Sequence, residues 1–164
     1  MKFGTIREYF YKLNNYCLLL VLLPPSVFIV LYFFWPGQAS YSLFENESLT
    51  FITLVSLFVL IFLKLTIVHL RVQKKLRKLT SEPGLGNKMD QYAPLVLVRQ
   101  LATSLSASLV AVSFYLTINN WAVLVFGLLL LWIWVQWPSP EKFCNDLKVR
   151  KDERELILGR NESV

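Results

Sequence analysis

Apolar positions gather in four long runs, at residues 16–35, 49–70, 99–118 and 121–137, and the second run is broken only by Lys64 and His69. A helix rises 1.5 Å per residue, so about 20 residues cross a hydrocarbon core of ~30 Å. Each run reaches that length once its flanking Trp and Tyr are counted. The pattern predicts an all-α fold, a four-helix transmembrane bundle with antiparallel neighbours and short outer loops. Residues 1–15 read as an amphipathic segment, 16–138 as the four-helix domain with a polar loop at 71–94, and 139–164 as a helical tail. The first run exceeds the apolar region of a signal peptide and ends in Phe33, Phe34 and Trp35, which suit an interface anchor. It is expected to stay as a helix.

Shorter patterns refine the ends. Phe3, Ile6, Phe10 and Leu13 share one helical face. That segment either lies on a membrane leaflet or continues the first helix into water. The second helix is expected to run past its apolar stretch on Val72, Leu76 and Leu79, and to stop near Thr80 because Pro83 and Gly84 follow. Lys64, Arg71, Lys75 and Lys78 fall along one stripe of it. In the tail, Ser139 fits an N-cap with Pro140 at the first helical position. One charged helix is expected from there to about Leu158, with Gly159 as its stop. Phe143 and Leu147 give that helix apolar patches, expected as partner or lipid contacts, and the short polar segments, too small for a core of their own, must cover each other, the membrane or a partner.

Composition supports the same class. Of 164 residues, 55% are hydrophobic and 17% charged, and the charges avoid the apolar runs. The net charge of +6 is placed one-sidedly. Lys and Arg occur before the first run, between the second and third, and after the fourth. The loop at 36–48 and the pair Asn119-Asn120 have none. By the positive-inside rule the basic side is the cytoplasm, and both termini lie there. The basic balance therefore reads as a topology signal, with no specific nucleic acid as partner. The short outer loops suggest a bacterial cytoplasmic (inner) membrane.

Candidate chemistry is sparse. The four runs contain no Asp or Glu, and the chain has a single His. Acid–base, metal-assisted and nucleophilic catalysis each need convergent groups. No catalytic residue, metal site or cofactor is expected, and Cys17 and Cys144 form no metal or disulfide pattern. The third run is rich in small residues, and Ser104 with Ser108 and Ala107 with Ala111 are spaced for close helix approach. That face is either an internal seam, a subunit interface, or the lining of an oligomeric pore. Pro24 and Pro25 free the carbonyls of Leu20 and Val21. Lys64, at a comparable depth of roughly 9 Å, is expected either to approach those carbonyls or to snorkel to the headgroups. The function expected is a non-enzymatic membrane subunit that scaffolds a cytoplasmic protein. It would use Arg71, Lys75, Lys78, Phe143 and Leu147, with lipids and other membrane subunits or its own copies as further partners. The alternative is a homo-oligomeric pore or membrane-perturbing effector of a stress or defence system.

Overall fold

The computed structural model describes residues 5–34, 47–117, 120–149 and 151–159. The expectations for Phe3, Asn119, Arg150, Arg160 and most of the outer loop at 36–48 lie outside the described residues. Six helices follow in order: α1 Ile6–Phe34, α2 Glu47–Thr80, α3 Leu85–Thr117, α4 Asn120–Val135, α5 Pro140–Asp146 and α6 Lys151–Leu158. No strand occurs among the described residues. Three helices are long and apolar enough to cross a membrane, or four if α4 and α5, bent by 82°, count as one span.

The architecture is a pillar with three supports. α3 stands in the middle and packs against α1, α2 and α4, whereas the consecutive helices α1 and α2 touch little. The expected antiparallel neighbours are thus corrected at this pair. The cause is the small-residue content of α3. Ala107, Val110, Ala111, Thr103, Ser104 and Ser106 are each nearly inaccessible, and side chains this short let three helix backbones approach a fourth. Ala107 and Val110 form one core cluster with Ile61 of α2 and Ala122 and Leu129 of α4. Phe28 of α1 stacks on Phe114 and Phe126, at centroid distances of 6.0 and 5.7 Å.

The outer surface is greasy. Phe62 is 71% exposed, Trp134 73% and Val135 71%. Such contiguous apolar exposure is foreign to a monomer bathed in water and fits helices that face lipid.

At one end lies a second core, and it gathers every basic segment. Tyr9, Phe10, Leu13 and Cys17 of α1 meet Val72, Leu76 and Leu79 of α2, Met89, Tyr92, Ala93 and Val96 of α3, Phe143 and Cys144 of α5, Leu147, and Ile157 of α6. Of the two readings of the N-terminal segment, continuation holds from Ile6 onward, since α1 is unbroken. Its first turns are not bare but packed into the core that α3 and α5 share with it. The expected loop at 71–94 is mostly helix. α2 ends at Thr80 as the sequence indicates, a short turn with Gly84 at φ +88° follows, and α3 begins at Leu85. Pro94 sits inside α3. Pro94 and Asp90, whose carbonyl it leaves without an N–H, are both exposed, so solvent can meet that carbonyl.

The tail departs from the single helix expected. Ser139 does cap α5, accepting from the Lys142 N–H at 3.1 Å, with Pro140 in the first turn. The helix then stops, with Lys148 in the left-handed region at φ +46°. Val149 N–H reaches back to the Cys144 carbonyl at 3.1 Å, the six-to-one bond of a Schellman stop. This turn brings Ile157 of α6 back onto the same core.

Candidate functional site

Three polar features interrupt this apolar frame. The first surrounds the proline pair. Pro24 cannot bond the Leu20 carbonyl, and its own ring is fully buried. The Ser104 hydroxyl of α3 donates to the Leu20 carbonyl instead. About two turns nearer the C-terminus of α1, the Tyr115 hydroxyl donates to the Phe28 carbonyl at 3.2 Å. Lys64 does not make the expected approach. Its ammonium donates to the Ser106 hydroxyl at 3.4 Å, on another side of α3. The sequence argument took α1 and α2 as neighbours, but α3 stands between them and supplies the hydroxyl itself. Ser104→Ala leaves a shielded carbonyl unmet, so it is expected to cost about 1–2 kcal/mol. In a Pro24→Ala background the restored N–H takes the carbonyl and the loss shrinks. Unfolding in detergent micelles measures both, and equal losses in the two backgrounds would refute the repair.

The second feature is a buried polar junction where α4 turns into α5. Arg99 is 6% exposed, Gln100 1% and Gln136 4%. Arg99 Nη2 and Gln100 Nε2 both donate to the Gln136 carbonyl at 3.3 Å, and Gln100 Nε2 also lies 3.4 Å from the Ile133 carbonyl. The Lys142 ammonium donates to the Val135 carbonyl at 2.7 Å. The last carbonyls of a helix have no intrahelical partner. Cations there also favour the negative end of its dipole. The junction thus closes the C-terminus of α4 and lets the chain turn sharply. Burial, and then the nearby Arg99 charge, hold the Lys142 pKa below its ordinary value. In the sequence Arg99 is simply the first residue of the third apolar run. A cation ending an apolar run gave no sign that it turns inward.

The third feature is the basic face of α2. Arg71, Lys74, Lys75, Arg77 and Lys78 are all exposed, and none pairs with a carboxylate of the described residues. Val72, Leu76 and Leu79, on the other face of the same turns, are buried. Beside this helix an open cleft of about 560 Å³ is lined by Gln73, Arg77, Thr80, Asn145, Asp146 and Lys148.

The residues singled out from the sequence therefore divide. Arg71, Lys75 and Lys78 do form an accessible surface. Phe143 and Leu147 do not join it. Both are 0% exposed, and they lie in the core with residues of α1 and α3, because the short segments at the basic end together make a core that none makes alone. Ser104, Ala107 and Ala111 are buried within a single chain and Ser108 is half-buried, which assigns this face to internal packing. No family model, curated protein or solved structure matches the chain.

Proposed function

We propose that the chain is a multi-pass protein of a bacterial cytoplasmic membrane, with both termini cytoplasmic, and that it is a non-enzymatic subunit anchoring a cytoplasmic protein with an acidic surface. The observation that carries this reading is the row of exposed cations on the end of α2, unpaired among the described residues. A flexible basic segment would collapse onto anionic lipid. Here Val72, Leu76 and Leu79 are locked into the basic-end core, so the helix stays upright and presents its charges as a rigid post. The cleft beside it, with Arg77 and Lys148 on its walls, offers a bounded place for an acidic element to enter.

The orientation rests on the one-sided distribution of Lys and Arg. Reporter fusions after Glu45 and Asn120 are expected to signal the outside, and fusions at Asn87 and Val164 the cytoplasm. A cytoplasmic signal at Glu45 would overturn the topology and the anchor together. For docking, Lys74→Gln, Lys75→Gln, Arg77→Gln and Lys78→Gln combined should abolish salt-sensitive retention of the partner, while Lys→Arg exchanges at the same sites preserve it. Retention with unchanged salt dependence would leave these residues as topology signals alone. The pore alternative loses support from the enclosure of Ala107 and Ala111. A pore lined by that face would require each chain to open its own core.

A further inference from the structure

α3 is the most enclosed helix, yet one stripe of it is open. Val98 is 52% exposed, Leu101 42%, Leu105 44% and Leu109 51%. At about 100° per residue these positions fall together on one side of the helix. The stripe lies between two contacts. Ser104 and Tyr115 on one flank reach α1, and Ser106 on the other meets Lys64 of α2. Because α1 and α2 touch little, they leave a groove whose floor is leucine and whose walls are two apolar helices. The wall formed by α2 carries Lys64 and, two turns nearer the basic end on the same stripe, Arg71. Both side chains are exposed. The two positions are seven residues, roughly 10 Å, apart along the helix axis.

We propose that this groove holds one anionic phospholipid, with an acyl chain on Leu101, Leu105 and Leu109 and its phosphate drawn to Lys64 and Arg71. The match is one of charge and shape. An apolar trough that ends in two cations fits an amphiphile with a hydrocarbon tail and a negative head. A zwitterionic lipid fills the trough but brings its own cation to the head. Lys64 also needs an anion more than a surface lysine does. It lies roughly 9 Å inside the last apolar turn of α2, its only hydrogen bond among the described residues is to a neutral hydroxyl, and a cation held in such surroundings is costly unless it is neutralised. The inference rests on the membrane-spanning reading but not on the docked cytoplasmic protein.

Native mass spectrometry from detergent, after exchange into phosphatidylglycerol or phosphatidylcholine with identical acyl chains, tests it. The protein should retain one phosphatidylglycerol with a preference of about tenfold or more, as two headgroup contacts imply. Lys64→Gln with Arg71→Gln should erase the preference, Lys64→Arg with Arg71→Lys should keep it, and Lys75→Gln with Lys78→Gln, farther out, should leave it intact. Excess glycerol phosphate should not displace the lipid. Equal retention of the two lipids would overturn the proposal. So would a preference that survives Lys64→Gln with Arg71→Gln, or one lost equally with Lys75→Gln and Lys78→Gln. Displacement by glycerol phosphate would reduce the site to a headgroup contact and overturn the groove. Alkaline carbonate washing of membranes keeps the two readings apart. A protein that washes off defeats the membrane reading, and one that stays but shows no lipid preference defeats only the groove.

Discussion

Phe143→Ala is expected to remove about 3–5 kcal/mol of stability, the range for emptying a fully buried aromatic site. The Phe143 ring is 0% exposed. It meets Tyr92 edge-on at a centroid distance of 4.8 Å and Phe10 at 5.8 Å, and Phe10 in turn meets Tyr9 at 5.1 Å. One ring therefore ties α1, α3 and α5 together. Around it, the Tyr9 hydroxyl donates to the Met89 carbonyl at 2.7 Å, and the Tyr92 hydroxyl lies 3.4 Å from an Asp146 carboxylate oxygen. Removing the ring opens a cavity under these bonds, and the tail should become sensitive to protease before the rest of the chain. Phe143→Leu, which keeps most of the volume, should cost much less. Denaturant unfolding in micelles together with limited proteolysis reads both effects. A Phe143→Ala protein within about 1 kcal/mol of the parent would mean that the tail does not depend on this core.

Ala107→Leu should be about as damaging, at ~3 kcal/mol or more, because overpacking a filled site displaces whole elements. Ala107 is 0% exposed and shares its cluster with Ile61 and Leu129. A leucine there pushes on α2 and α4 at once, and α3 cannot yield because α1 holds its other side. Leu109→Ala on the open stripe of the same helix is the control, and it should change unfolding little. Wild-type stability of Ala107→Leu would show that the face has room and that α3 is not the packing centre.

Much of this frame can be read from residue patterns, for local reasons. The stop of α2 near Thr80 follows from Pro83 and Gly84, and the cap at Ser139 from the Ser-Pro pair before a charged turn. The grouping of basic segments at one end follows from counting Lys and Arg. These signals act within a few residues or add along the chain. Choice of neighbour does neither. The pattern of α1 marks it as apolar without saying what it faces, so the one donor it offers the carbonyl freed by Pro24 is Lys64 of the next helix in sequence, with snorkelling as the other reading of that lysine. Its actual donor, Ser104, lies on α3. Phe143 and Leu147 were misplaced for a related reason. Segments too short to bury anything singly must cover one another, lipid or a partner, and the residue pattern does not choose among the three; here they cover one another. The inward turn of Arg99 escaped notice because its partners are the backbone carbonyls of α4, and carbonyls leave no mark in a sequence.

The central place of α3 also bears on how such a chain enters a bilayer. α3 is far less apolar than α2 and close to α1, with mean hydropathies of 1.7, 2.6 and 1.8, and in α3 hydroxyls occupy the sides that its neighbours cover. Thr103, Ser106, Ser108 and Thr117 return their protons to their own helix, which lessens the penalty of a polar segment in lipid but does not remove it. On the membrane-spanning reading, the pillar is the segment least able to leave the translocon alone. It emerges third, after α1 and α2 have partitioned, and their waiting flanks give Ser104 and Ser106 a place to go, while Arg99 meets its carbonyls only once α4 has followed. The order of synthesis thus supplies two of the three supports before the post they clasp.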